Sequence, residues 1–367
     1  MSKTYIGVGN LAKNVKKIYV GVGGVAKKVK RAYVGVGGVA KLCYVYEPEL
    51  VKVNNPPQLS AIRCELTPAT VGNYALFGGG NGSNVTVDAF SNLLVRSTPS
   101  SLSAGKMEYD STTIGNYALL GSALGSLTIV DTYNNSLTHG TVNSSCNRYE
   151  QGATTVGNYA LFGGGYDKAV IASVDAYNAS LTRSIATNFS IGRMRAKATT
   201  VGNYAVFAGG WNDSKVGTAD AYNTSLTRST PTGLSFSRSK HGATTVGNYA
   251  LFGGGEGNNS TITATVEIYT ASLTKSNAAD LSIARLGVSA TSIGNYALFG
   301  GGVDYSGKNR YSNVDAYNSS LTRLIPTALS QARCYIGAGT VGNYVLFGGG
   351  MNSSTNKVTT VDAYTLE

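Results

Sequence analysis

The tetrapeptide Val/Ile-Gly-Asn-Tyr occurs seven times, with its asparagine at Asn73, Asn116, Asn158, Asn203, Asn248, Asn295 and Asn343, at spacings of 42 to 48 residues. A period of that size means that the chain repeats one supersecondary unit, stacked either in a line or around an axis. A chain of 367 residues would otherwise suggest two or three unrelated domains. The repeat overrides that expectation for everything after residue 46.

The internal order of the unit identifies its class. In the copy that begins at Leu234, residues 243–246 are rich in β-branched side chains, Gly247-Asn248 is a two-residue hairpin turn, and residues 249–252 return as the partner strand. The glycines Gly253, Gly254 and Gly255 end that strand, and residues 266–269 and 272–275 read as a third and a fourth strand. The Tyr-Ala-Leu-Phe segment is apolar on both faces, as a sheet packed between two others requires. No stretch keeps a long helical period. Four short antiparallel strands per repeat describe a propeller blade, so the chain is expected to be all-β and seven-bladed. A linear stack would need polar capping repeats, which the sequence lacks.

Ring closure is expected from the two ends. The last copy stops at its third strand, 361–364, shortly before Glu367, and has no fourth. Residues 49–53, followed by Pro56-Pro57-Gln58-Leu59-Ser60, match the fourth-strand segments 225–235 and 320–330, each ending in Leu-Ser. The N-terminal strand should complete the seventh blade and hide two sheet edges.

Glycine ends on the second strand, an aromatic closing the third, and one base before each first strand resemble the kelch-type β-propeller over residues 47–367. The tryptophan usual near a kelch fourth strand is replaced by Leu137, Leu181, Leu226, Leu273 and Leu321.

Residues 1–46 differ in kind. They hold nine of the 30 bases and none of the 19 acids, so most of the net charge of +11 sits in this arm. Tyr5, Tyr19 and Tyr33 open a second repeat of period 14, with the turn pairs Gly9-Asn10, Gly23-Gly24 and Gly37-Gly38. A basic β-hairpin or meander arm is expected, with segments such as 25–36 as long strands. The helical spacing of Leu11, Val15 and Ile18 leaves three short helices as the rival. A thin ribbon without a core is marginal alone, so a partner or further copies should order it, with Lys16, Lys17, Tyr19, Lys27, Lys28 and Tyr33 as docking residues. Gly-Val-Gly repeats with lysine-rich spacers resemble N-terminal modules of tail-associated proteins from phages and phage-tail-like bacteriocins of Gram-positive bacteria. That resemblance implies a tail-fibre or receptor-binding component of a virion or tail-like particle, present in multiple copies. The arm would dock to other tail or baseplate proteins, and the propeller would bind a bacterial surface polymer, a glycan or a protein. Two other readings are a purely structural platform and a nucleic-acid-binding arm, whose affinity would fall steeply with salt.

Little in the chain points to catalysis. His139 and His241 fall in different repeats at non-equivalent positions, the glycine triplets lack the Gly-Lys-Ser/Thr of a phosphate loop, and no metal-ligand spacing occurs. The expectation is a non-enzyme without cofactor or metal. No 18-residue apolar run and no secretory signal are evident, so synthesis in the bacterial cytoplasm without membrane insertion is expected. Cys43, Cys64, Cys146 and Cys334 read as reduced, small buried hydrophobes. Asn134, Asn178, Asn223 and Asn318, each in an Asn-x-Ser/Thr triplet, read as turn formers.

Two charge rings are spelled out by the repeat. Bases stand at Arg63, Lys106, Arg148, Arg193, Arg238, Arg285 and Arg333, and acids at Asp88, Asp131, Asp175, Asp220, Glu267, Asp315 and Asp362. Structural pairing is expected, with an anion site at the channel mouth as the alternative. Recognition should sit where the repeats diverge, in the second-to-third loops and the fourth-to-first connections of one face. The candidate ligand residues are Tyr166, Asp167, Trp211, Asn212, Asp213, Tyr305, Arg310, Tyr311 and Met351. Trp211 is expected to be exposed for stacking on a sugar.

Overall fold

The computed structural model describes residues 5–8, 11–14, 18–22, 25–29, 31–36, 39–45, 48–80, 84–106, 109–121 and 128–367. They form two compact units, one of residues 1–50 with Leu366–Glu367 and one of Val51–Thr365.

The larger unit is a seven-bladed β-propeller. Each blade is a four-stranded antiparallel sheet, and in blades 1 to 6 the four strands follow one another along the chain. In blade 5 they are Gly242–Val246, Tyr249–Gly253, Val266–Thr270 and Lys275–Asn277. The fourth strand thus starts at Lys275, not at Ser272, because residues 271–274 are consumed by the turn. Blade 7 joins Gly337–Val341, Tyr344–Gly348 and Val361–Leu366 to the N-terminal strand Leu50–Val53, so the ring closes with strands from both ends of the chain.

The core lies between blades. Leu66, Phe77 and Phe90 of blade 1 pack with Val341, Leu346 and Val361 of blade 7, and the same pattern joins blades 1 and 2, 2 and 3, and onward to 5 and 6. Within a blade the second-strand phenylalanine meets the third-strand aromatic edge to face, as in Phe252–Tyr269 at 5.8 Å and 89°. Inner-strand threonines stitch neighbours together: Thr155 Oγ1 donates to the Thr113 carbonyl at 2.6 Å, and Thr70 Oγ1 to that of Thr340, across the closure.

The repeated leucine of each outer turn adopts a left-handed conformation, with φ from 56° to 62° at Leu94, Leu137, Leu181, Leu226, Leu273 and Leu321. Such a φ is unfavourable for leucine. It is held by packing against the interblade core. In four blades the preceding asparagine adds to this, for example Asn178 Oδ1 accepting the Ser180 and Thr182 N–H groups at 3.0 Å.

In the smaller unit Tyr5–Val8 pairs with Leu11–Asn14, Tyr19–Val22 with Val25–Lys28, and Arg31–Val36 with Val39–Val45. Among the described residues these are three two-stranded hairpins, and the segment expected as one long strand over 25–36 holds two strands, Val25–Lys28 and Arg31–Val36. Tyr19 and Tyr33 are 55% and 56% exposed. Lys16 and Lys17, the three turn pairs, and the side chains of Lys27, Lys28 and Cys43 lie outside the described residues.

Candidate functional site

The charged rings are built into the blades. Each ring base is buried, the six arginines to 1% exposure or less. In the five middle blades it lies 2.6 to 3.0 Å from its acid. Arg63 meets Asp88, and Arg333 meets Asp362, in the same way. The bases also bond the carbonyls of the glycine ends: Arg238 donates to Gly254, Thr265 and Phe252 at 2.8 to 3.3 Å. The third glycine of the triplet is required there, since a Cβ on Gly210 (φ 118°) would lie 2.7 Å from the Met194 carbonyl.

Sequence reasoning missed that each acid is shared by two bases. The second comes from the fourth strand: Arg96, His139, Arg183, Arg228, Lys275, Arg323 and, in blade 7, Lys52, at 2.6 to 3.9 Å. A serine N–H from the fourth-to-first connection adds a third donor at 2.7 to 3.2 Å, from Ser60, Ser103, Ser145, Ser190, Ser235, Ser282 and Ser330. The recurrent Leu-Ser dipeptide was the available signal. Burial alone would raise Asp131, Glu267 and Asp362, but these donors more than offset it and hold all three below the usual carboxylate range. With the ring bases sealed in this way, they cannot reach a ligand, and the anion-site alternative fails at these residues.

Beyond the ring bases the described residues of these connections line a funnel with a volume of about 160 Å³. The residue two places after the base is left-handed in six blades: Glu65 (φ 58°), Glu150 (56°), Arg195 (59°), Lys240 (53°), Gly287 (63°) and Tyr335 (53°). All six line the funnel. Their backbones bond around the rim: the Glu65 N–H donates to the Tyr335 carbonyl at 2.9 Å, Tyr335 to Gly287 at 3.3 Å, Gly287 to Lys240 at 2.9 Å and Arg195 to Glu150 at 2.7 Å. Five of the six are not glycine, and for such residues this conformation is unfavourable. The sequence held no signal of this rim, since the position and both its neighbours vary from copy to copy.

The wall has two characters. Leu66, Val288, Ile336 and Tyr335 form an apolar and aromatic side, and Gln151, Arg195, Lys197, Lys240 and His241 a polar one. The charges largely satisfy one another: Arg195 Nε donates to Glu150 at 2.6 Å, Lys197 reaches Asp110 at 2.9 Å, and Lys240 lies 3.2 Å from Glu256. His241 is 1% exposed, and neither ring nitrogen finds a hydrogen-bond partner among the described residues. Burial, then the charges of Arg238 and Lys197, push it well below the usual imidazole range, outweighing the nearby Ala208 backbone, so it is neutral. Among the described residues, no three His, Cys, Asp or Glu side chains are placed to hold a metal ion.

The nine loop residues named from the sequence do not converge on this funnel; none of them is among the described residues that line it. Tyr166, Trp211 and Met351 are equivalent, each bridged to the residue after a ring base: Tyr149, Met194 and Cys334. Trp211 is half-buried, not exposed, because its backbone pairs with both Met194 and Lys215. Asp167, Asn212 and Asp213 belong to tight hairpins beside these bridges. Tyr305, Arg310 and Tyr311 lie in or just after a loop wound around Asp304, whose carboxylate accepts from Ser306, Lys308 and Asn309. Cys64 and Cys334 are buried, and Cys146 is half-buried.

No protein family matches the sequence, and no curated protein matches it. Among solved structures the chain is similar to that of YjhT, with a TM-score of 0.58 and 12% identity, covering 85% of this chain and 99% of that one. At that identity the similarity concerns the fold.

Proposed function

We propose that the chain is a non-enzymatic recognition subunit, with a kelch-type propeller that receives a ligand in the funnel and a basic arm that docks to a larger particle. The observation that carries the reading is the rim of five strained, chemically diverse residues around a preformed cup, on a scaffold whose ring charges are locked in blade clamps. A cup with one aromatic, apolar side and one hydrogen-bonding side suits a sugar ring, with Tyr335 against its face and the polar side toward its hydroxyl or amide groups. Because the funnel charges are paired, a neutral unit is favoured over an anion. The period-14 arm supports the finer reading, a tail or baseplate component of a phage or bacteriocin particle binding a bacterial surface glycan.

Binding of the purified full chain to cell-wall glycan isolated from Gram-positive bacteria tests this. Tyr335→Ala and Ser289→Trp, at two positions that line the funnel, should each abolish binding, whereas Trp211→Ala should preserve it. Undiminished binding by both funnel variants would remove the assignment.

A further inference from the structure

The bonds around the funnel rim leave one donor open. At each junction the left-handed residue of one blade faces the carbonyl of its counterpart in the blade before it. Between described rim residues there are five such junctions, and four are bonded. Glu65 donates to Tyr335 at 2.9 Å, Tyr335 to Gly287 at 3.3 Å, Gly287 to Lys240 at 2.9 Å and Arg195 to Glu150 at 2.7 Å. The fifth, between blades 5 and 4, lacks this bond: among the described residues the Lys240 N–H donates to no acceptor.

The same junction gathers the polar wall of the funnel. His241 follows Lys240 in the chain, lines the funnel, and keeps both ring nitrogens unbonded although it is 1% exposed. Its ring lies against the glycine end of blade 4, where a Cβ on Gly209 would be 2.7 Å from Cε1 and 3.3 Å from Nε2. Arg195 and Lys197 of blade 4 and Lys240 of blade 5 also line the funnel, with side chains 29 to 37% exposed. The carboxylates that hold them, Glu150, Asp110 and Glu256, are buried. Blades 4 and 5 therefore present donors to a ligand, and their charges are already balanced.

We propose that the junction between blades 4 and 5 seats the carbonyl oxygen of an uncharged secondary amide, which accepts from the Lys240 N–H in place of the missing rim carbonyl. This seat presupposes the funnel as the ligand site and names the group that enters it. A carboxylate or phosphate gains little here, because Glu150, Asp110 and Glu256 neutralise the three bases and repel a further anion. A ligand cation meets Arg195, Lys197 and Lys240 first. An amide carbonyl is the acceptor that closes the other four junctions, so a ligand amide continues the same chain of backbone-type bonds. An acetamido sugar and a peptide both carry this group.

Residue-resolved amide hydrogen exchange on the full chain, with calorimetry for binding, tests the seat. In the free protein the Lys240 N–H should exchange about tenfold or more faster than those of Gly287 and Arg195. Saturating chitotriose should slow Lys240 by about tenfold or more, whereas cellotriose, which has hydroxyls in place of the acetamido groups, should not. Acetyl-trialanine amide shows whether a peptide serves as well as an acetamido sugar. Lys240→Gly keeps the N–H and suits the φ of 53°, so protection by chitotriose should persist in it; its loss would assign the amide to the ammonium and overturn the seat. Equal exchange of Lys240 and Gly287 in the free protein would show that the junction is closed. Chitotriose that binds without slowing Lys240, or that cellotriose matches, would remove the amide seat and leave the funnel as the ligand site. If neither amide probe binds, the amide seat falls, and the funnel is judged by the cell-wall glycan and its Tyr335→Ala and Ser289→Trp variants alone.

Discussion

Lys52 Nζ lies 2.8 Å from Asp362 Oδ1, joining the first strand of the propeller to the last. The same ammonium donates to the Ala328 carbonyl at 2.8 Å. Lys52 thus takes in blade 7 the place that Arg228 holds in blade 4, so the closure reproduces the ordinary blade clamp. Lys52→Met should lower the unfolding free energy by about 1 to 2 kcal/mol, the range for a charged hydrogen bond that is 21% exposed. Lys52→Arg should restore most of it. Urea midpoints would measure both, and equal midpoints for Met and parent would show that the latch contributes nothing.

Removing an acid should cost more than removing an outer base. Asp220 holds Arg193 at 2.6 Å, Arg228 at 3.0 Å and the Ser190 N–H at 2.9 Å, with Arg193 and Asp220 both fully buried. Asp220→Asn leaves a buried guanidinium without its counter-charge, for a loss of about 3 to 5 kcal/mol. Arg193→Met/Asp220→Asn should recover part of this despite carrying an extra substitution. A double variant less stable than Asp220→Asn would mean that the Arg193 bonds to backbone carbonyls dominate the clamp.

The repeat made the blades, the hairpin turns and the closing strand legible, because each rests on spacing and on residue types with one backbone preference. The rings at Arg193 and Asp220 were legible for the same reason. The outer bases were not: nothing in sequence ties Arg96 or Arg183 to a buried acid, while His139 and Lys52 change residue type or come from the far end of the chain. The funnel rim escaped because nothing about Glu150, Arg195 or Tyr335 as residue types announces a left-handed φ. Trp211 was misjudged because a loop tip in sequence is, in space, a short strand bridged to Met194.

Gly202 tests the contact between neighbouring blades. Its φ of 53° and the 2.8 Å approach of a Cβ to Ala271 penalise any side chain there. Gly202→Ala should cost about 1 kcal/mol for the backbone conformation, plus a steric term. Ala271→Gly in the same molecule should relieve the steric part and leave the conformational one. If the second change brings no recovery in a thermal melt, the two turns are not in contact.

His241 gives the propeller a pH dependence that its carboxylates do not. Asp131, Glu267 and Asp362 have depressed folded values, so their contribution is complete above about pH 4 to 5 and is lost only in stronger acid. His241 is held neutral well below its ordinary value, by burial first and then by Arg238 and Lys197. Between that depressed folded value and the unfolded value of about 6.5, the unfolded chain binds a proton that the folded chain refuses, so stability rises with pH in this window. Lowering the pH from about 7 to 5 should therefore reduce stability, by up to about 1.4 kcal/mol per pH unit from this residue. His241→Gln keeps a polar side chain without a titrating group and should flatten the profile relative to the parent over that interval. Since His139 is unchanged in both proteins, the difference between the two urea-midpoint profiles isolates His241. Parallel profiles would mean that the imidazole is protonated in the folded protein and that the funnel wall is wetter than its burial implies.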